Sequence, residues 1–356
     1  MKTIKTFAVL SLIGIAVLSA FSIPTTTKRS EEMKAKKTKM EIRNNHEWDQ
    51  LEETVVGSWQ GEVFKLNEGV EDFRDVYPYL SESGNELLLK TTKVPMSKAD
   101  PDTNQRWVDE TEKLAEVLEG LGVKVRRPDV LNTNPDETVT IYSRDPIISI
   151  GNKFLLTNLK SLGRRVEGAG YKRIALDLAR KYDGEVIMMP ENRPGMHEDN
   201  AYLEGGDVFV NGNEICVGMT GNATNMNGVE WLRETLGADY TVYVIPLNND
   251  VLHLDCAFTL LSPNQGIICK EDFKDPENLP GKLANYEWVE VTPEEAKAMA
   301  TNGVVVNSKT LIAIDAFPHV AQEIRDRFGI KVIEMPYEKA VIGGGMRCSY
   351  QPILRK

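Results

Sequence analysis

Residues 208–217 read Val-Phe-Val-Asn-Gly-Asn-Glu-Ile-Cys-Val. Two short runs of β-branched and aromatic residues flank Asn211-Gly212-Asn213, which is a hairpin signal. An apolar helical period follows from Val229 to Leu236, and a further strand pattern runs from Thr241 to Ile245 and stops at Pro246. The unit is strand, turn, strand, helix, strand.

The same order recurs along the chain. An earlier copy has Ile147–Ile150, the turn Gly151-Asn152, Phe154–Leu156, a helix near Ile174–Lys181 and Val186–Met189 before Pro190. A later one starts at Ala257–Leu261, turns at Pro263–Gly266 and returns along Ile267–Cys269. Another has Val304–Val306, the turn Asn307-Ser308, Leu311–Ile314, a helix at Ala321–Phe328 and Lys331–Glu334 before Pro336. A Thr111–Leu121 helix, the strand Val123–Arg126 and the strand Thr54–Gly57 fit one more unit, split between the ends of the chain. Such units bury their apolar faces against one another, and about five would close into a ring with strands inside and helices outside. We expect one α/β domain over 46–356, a five-bladed α/β propeller of ββαβ repeats. A doubly wound sheet is the alternative, but no Gly-x-Gly-x-x-Gly turn stands in the right place.

The composition is ordinary for a globular protein: 356 residues, 41% hydrophobic and 27% charged. A net charge of −11 argues against nucleic-acid binding, which needs a basic face. It suits a small cationic substrate, which an acidic cleft attracts. At the N-terminus, Lys2 and Lys5 precede an apolar run from Phe7 to Phe21, with small residues at Ala20 and Ser22. This is the order of a secretory signal, and the run is short of the roughly 20 residues of a membrane span. We expect residues 1–22 to be a signal peptide and 23–45, polar and Lys-rich, a linker. The protein would then be extracytoplasmic, with an uncleaved membrane anchor as the alternative. Four cysteines could make two disulfides, but their contexts disagree. Cys216 and Cys269 sit in strand patterns, Cys256 follows His-Leu-Asp, and Cys348 follows a glycine run. Free thiols are expected, one of them reactive.

Polar residues gather where strands begin. The segments are Ser143-Arg144-Asp145-Pro146, Glu204-Gly205-Gly206-Asp207, His253-Leu254-Asp255-Cys256 and Gly343-Gly344-Gly345-Met346-Arg347-Cys348. In a ring of similar units, equivalent loops converge on the axis, bringing acids, one histidine and one cysteine together. These types suit attack on a guanidinium, a planar cation whose central carbon is a poor electrophile. Carboxylates of Asp145 and Asp255, with Glu204 as a third candidate, would hold it flat by forked hydrogen bonds. Cys348 would be the nucleophile. His253 would protonate the departing amine and then activate the incoming group, with Glu204 orienting it. Acids around the thiol oppose its ionisation, so the thiolate is expected mainly once the cation is bound. A metal site at His253, Asp255, Cys256 and Glu204 competes with this reading, but it lacks a second histidine and a Cys-x-x-Cys. No metal and no cofactor are expected.

At these segments the sequence resembles the guanidine-modifying enzymes: glycine amidinotransferase, arginine deiminase, agmatine deiminase and dimethylarginine dimethylaminohydrolase. The resemblance covers residues 46–356 and implies the pentein fold, a five-bladed α/β propeller with a central Cys-His-acid site. It implies Cys348 as nucleophile, His253 as catalytic histidine, Glu204 as its acid, and Asp145 and Asp255 as guanidinium-binding residues. Several stretches look most like the amidinotransferases: Asn45–Asp49 with Leu51, Val125–Asp129, and Thr224-Asn225 with Gly228–Arg233. Ala223 stands where deiminases and dimethylargininases usually carry arginine. Against this, Glu204-Gly205-Gly206-Asp207 is the deiminase and dimethylargininase form. Met346-Arg347-Cys348 replaces the transferase's Phe-His-Cys, and Arg347 is expected to contact substrate. The first expectation is transfer of an amidino group from an arginine-like guanidine to an amine such as glycine. The alternatives are hydrolysis by the same residues and a guanidine-binding protein without catalysis. A homo-oligomer is compatible with any of them.

Overall fold

The computed structural model describes residues 44–59, 71–75, 77–91, 94–131, 140–161, 164–195, 197–337 and 344–356. The expected signal and nearly all of the expected linker lie outside the described residues. The chain divides into Met1–Met40 and Glu41–Lys356, and everything described belongs to the second unit. Its ordered edge begins earlier than expected from sequence. Asn44 exchanges backbone hydrogen bonds with Gly151, both at 3.0 Å, and its side chain donates to Ser149 O.

Among the described residues, fifteen strands form five three-stranded sheets. In chain order they are β1 (Leu51–Val56), β2 (Lys124–Arg126), β3 (Ile147–Ile150), β4 (Lys153–Leu156), β5 (Glu185–Met188), β6 (Val208–Asn211), β7 (Glu214–Met219) and β8 (Thr241–Pro246). There follow β9 (Phe258–Ser262), β10 (Gln265–Ile268), β11 (Glu287–Glu290), β12 (Val304–Asn307), β13 (Thr310–Ile314), β14 (Lys331–Met335) and β15 (Tyr350–Arg355). In each sheet an antiparallel pair meets a third strand in parallel: β3-β4-β5, β6-β7-β8, β9-β10-β11, β12-β13-β14 and β15-β1-β2. The last sheet pairs strands from the two ends of the described chain, as the split unit predicted.

Burial sorts the strands by layer. The opening strands β3, β6, β9 and β15 are buried throughout, whereas β5, β8 and β14 are partly exposed. An opening strand therefore reads as a continuous apolar run, because both of its faces are covered. Helices close the outside. Asn225 caps the helix Met226–Leu236 by accepting from Gly228 N, and Gly237 ends it with φ 73°. Its inner face, Val229, Leu232 and Leu236, packs on Val208, Val210, Ile215 and Val242. Each such side chain contributes about 1.5–3 kcal/mol of burial. The third unit departs from the pattern. Between β10 and β11 there is no α-helix, only short 3-10 turns at Lys270–Asp272, Pro276–Asn278 and Gly281–Asn285. Pro276, Pro280 and Gly281 (φ 57°) interrupt any α-helical run there.

Candidate active site

The residues singled out from sequence stand at one structural position, just before the opening strand of a sheet. Arg144-Asp145 precedes β3, Glu204–Asp207 precedes β6, His253–Asp255 precedes β9 and Arg347-Cys348 precedes β15. The fifth equivalent, before β12, is Thr301-Asn302. Asp145, Glu204, Asp207, His253, Asp255, Asn302 and Cys348 are all buried.

Hydrogen bonds knit these loops together. Asp207 accepts from Leu254 N at 3.1 Å and from Thr224 N at 3.3 Å, fixing the backbone that presents His253. Gly206 N donates to Asp145 Oδ1 at 3.2 Å. A Cβ at Gly206 would lie 2.5 Å from His253 Nδ1, so only glycine lets the imidazole lie against this backbone.

His253 is clasped by two carboxylates. Its Nε2 is 3.0 Å from Glu204 Oε2 and its Nδ1 is 3.8 Å from Asp145 Oδ1. Burial alone would lower its pKa, but Asp145, Asp207 and Glu204 together raise it well above the ordinary value. Burial pushes Glu204 upward, yet the His253 hydrogen bond and charge, with Arg164, leave its pKa below the usual range. The pair is therefore an imidazolium and a carboxylate, poised to donate a proton. Asp207 differs: desolvation raises it to about 7.

Cys348 points at another acid. Its Sγ lies 3.7 Å from Asp255 Oδ2 and 3.9 Å from Oδ1. Burial raises the pKa of Asp255, against the pull of His253 and Arg347. Asp255 thus contacts the thiol while it feels the charge of His253. Asn302, which the sequence reading missed, holds the nucleophile turn. Its Oδ1 accepts Arg347 N at 2.8 Å and Cys348 N at 3.3 Å. Its Nδ2 donates to Asp255 O at 2.9 Å and to Cys348 Sγ at 3.4 Å. The available signal was position, since Asn302 stands before the fourth opening strand as the other site residues do before theirs.

Two arginines change the expected picture. Arg164, also missed, donates to Asp145 Oδ2 at 2.8 Å and pairs with Glu167. The carboxylate expected to hold substrate is thus already paired with a guanidinium. Arg347, expected to contact substrate, is fully buried, and the other site residues are buried too. Its Nη1 donates to Glu47 at 2.8 Å, and its guanidinium lies 3.8 Å from the centre of the Phe209 ring. Its Nε also lies 3.7 Å from Asp255 Oδ2. The competing metal reading is redrawn too. Among the described residues, the ligand-capable atoms that cluster belong to Asp145, Glu204 and His253, within 4.8 Å of one another. Asp255 and Cys256 are not part of that cluster, and Arg164 already supplies Asp145 with a cation.

A cavity of about 220 Å³ opens on Glu204 and Arg164, lined also by Tyr77, Tyr79, Lys160 and Ala223. Among the described residues no helix is long and apolar enough to cross a membrane. All four cysteines are free, as expected.

The arrangement sets a thiol and several acids side by side, and the fold that carries it has counterparts among known proteins. Glycine amidinotransferase of Danio rerio is 21% identical over 88% of this chain and 82% of that protein. The uncharacterized protein YkgA of Bacillus subtilis is 26% identical over 69% of this chain and 80% of its own. The solved amidinotransferase SxtG of Microseira wollei superposes with TM-score 0.72 at 18% identity, covering 88% of this chain and 97% of that one. A dimethylarginine dimethylaminohydrolase structure gives TM-score 0.60 at 19% identity, covering 86% and 100%. The family model described as N,N dimethylarginine dimethylhydrolase, eukaryotic, matches residues 90–355. The chain therefore belongs to that family, within the guanidine-modifying superfamily of pentein fold.

Proposed function

We propose that this enzyme transfers an amidino group from an arginine-like guanidine to an amine such as glycine. The carrying observation is the convergence of five loops, which sets the Cys348 thiol against the Asp255 carboxylate and holds His253 between Glu204 and Asp145. Cys348 attacks the central guanidinium carbon. The bond from that carbon to the departing amine breaks, and His253 gives this amine its proton. An amidino group remains on sulfur. His253 then takes a proton from the acceptor amine, whose nitrogen attacks the same carbon and expels the thiolate. Asp145 and Asp255 hold the flat cation while charge shifts across it. Arg164 holds Asp145 in place until substrate arrives. Asn302 Nδ2 supports negative charge on sulfur.

Transfer over hydrolysis is supported at the mouth of the cavity. Tyr77 and Tyr79 line it from a segment upstream of the family-model match, opposite Ala223. Amidinotransferase relatives span that segment too. A wall of aromatic rings excludes water and leaves room for an amine. The second reading, hydrolysis with water as acceptor, is favoured by the family model itself. We further propose that the enzyme acts outside the cytoplasm, on the strength of Lys2, Lys5 and the apolar run after them. Incubation with arginine, with and without glycine, separates the readings. Ornithine and guanidinoacetate identify the transferase, and citrulline identifies the hydrolase. Absence of turnover on arginine and on dimethylarginine would remove both.

A further inference from the structure

Three of the four thiols have no part in the steps above. Cys216 lies inside β7, and burial pushes its thiol up to about 12. Cys269 lies at the end of β10, and its Sγ faces Glu271. Cys256 is different. It stands in the helical turn Leu254–Ala257 directly after His253, and its Sγ lies 3.7 Å from Asp255 Oδ1. Cys348 Sγ lies 3.9 Å from the same oxygen. Interaction with Cys348 is the largest cause of the raised Cys256 pKa. Asn302 clamps the backbones that carry them, donating to Asp255 O and accepting from Cys348 N. The two sulfurs thus flank one carboxylate oxygen from two different blades.

Cys256 has a second feature. It lines a cavity of about 280 Å³, with Tyr79, Asp272, Lys297 and Met299. A small oxidant or reductant in this cavity meets the Cys256 residue directly.

We infer that Cys256 is a resolving thiol for Cys348, and that the two form a reversible disulfide when a peroxide oxidises the nucleophile. The inference rests on the proposed function only in treating Cys348 as the reactive thiol. In the first step Cys348 sulfur attacks one oxygen of hydrogen peroxide. The O–O bond breaks, leaving a sulfenic acid and one water; sulfur is oxidised by two electrons and peroxide is reduced. In the second step Cys256 sulfur attacks the Cys348 sulfur. The S–S bond forms, the S–O bond breaks, and the proton of Cys256 leaves with the hydroxyl as water. An external dithiol returns both residues to thiols. Capture at this stage keeps Cys348 from irreversible sulfinic acid.

The test treats the full chain with hydrogen peroxide, alkylates free thiols under denaturing conditions and maps the peptides by mass. The expected product is one peptide pair joining Cys256 to Cys348, lighter by two hydrogens, with Cys216 and Cys269 alkylated. Dithiothreitol should remove the link and restore guanidine turnover. Cys256→Ala and Cys256→Ser should keep basal turnover but lose recovery by dithiothreitol, with Cys348 found as sulfinic acid. Sulfinic acid on Cys348 of the unaltered protein beside an alkylated Cys256, or a link to Cys216 or Cys269, would overturn the inference. A Cys256–Cys348 link in a protein that turns over no guanidine would uphold the pairing and sink the proposed function instead.

Discussion

The amide nitrogen of Asn302 lies 3.4 Å from Cys348 Sγ, while the oxygen of the same side chain accepts the backbone N–H groups of Arg347 and Cys348. One residue both shapes the nucleophile turn and offers a donor to the sulfur. A hydrogen bond to a charged group is worth about 1.5–3 kcal/mol, roughly one to two decades in rate. Asn302→Asp keeps the acceptor oxygen, loses the donor and adds charge. We expect turnover to fall by at least about tenfold and iodoacetamide modification of Cys348 at neutral pH to slow in parallel. Asn302→Ala should share the slower alkylation. Unchanged alkylation in both variants would reduce Asn302 to a structural clamp.

Cys348→Ala should abolish turnover while the fold and guanidine binding persist. The side chain is small, and the turn is held by backbone hydrogen bonds that alanine keeps: Cys348 N to Asn302 and Arg144 N to Cys348 O at 3.0 Å. Intact mass of the unaltered enzyme after an acid quench during turnover should show an amidino adduct on Cys348. Residual turnover in the alanine variant, or an adduct on Cys256, would move the nucleophile elsewhere.

The pH dependence follows from the His253–Glu204 pair. The raised pKa of His253 means that its stabilising charge is fully present below the ordinary value of 6.5 and is lost as pH rises through the raised value. The lowered pKa of Glu204 means that its contribution is fully present above the ordinary carboxylate range and is lost as pH falls through the lowered value. Both partners are charged across neutral pH, so turnover should be level there and decline on the alkaline side. Glu204→Gln removes one of the carboxylates that hold the proton on His253. Its alkaline limb should shift to lower pH, and turnover should fall about 10²–10⁴-fold. A pH–rate profile with an unmoved alkaline limb would assign that limb to another group.

Gly206→Ala tests how closely the backbone must approach the imidazole. The new Cβ would stand 2.5 Å from His253 Nδ1 and 3.0 Å from Asp145 Oδ1. Both are well inside ordinary contact, and His253 is fixed on its other side by Glu204. The imidazole must swing away from its proton-delivery position. We expect a large loss of kcat with a thermal transition that remains cooperative. Wild-type kcat in this variant would show that His253 does not act from the position described.

Much of this was legible in the sequence because opening strands are buried on both faces. Such strands read as short apolar runs between turn residues, and the polar segments before them mark the axis. Asp145, Glu204, His253 and Cys348 could be found that way. The helix Glu82–Thr91 was not, since it belongs to no repeat. Asn302 escaped because its side chain carries no charge and titrates nowhere, so its chemistry depends on what the fold brings to it. The partner of Arg347 was hidden for another reason. A cation one residue before a nucleophile looks like a ligand for substrate, and only the fold brings Glu47, from the other end of the described chain, to its Nη1.

The Glu47–Arg347 pair yields the final prediction. Arg347 is fully buried and Glu47 nearly so, and the two meet at 2.8 Å. Burial would push Glu47 upward, but Arg347, Arg144 and Arg355 together hold it down to about 2. One carboxylate therefore serves three buried guanidinium groups. Removing it should hurt more than removing one of the three. Glu47→Gln leaves Arg347 beside Arg144 with only the more distant Asp255, at 3.7 Å, as a neutralising charge, and the cost should reach about 3–5 kcal/mol. In Arg347→Met, Glu47 keeps Arg144 and Arg355 as partners, and methionine fills the space over the Phe209 ring, so the loss should be smaller. Urea denaturation of the two variants decides the order. An Arg347→Met protein less stable than Glu47→Gln would mean that Arg347 stabilises chiefly by its packing on Phe209, with the ion pair secondary.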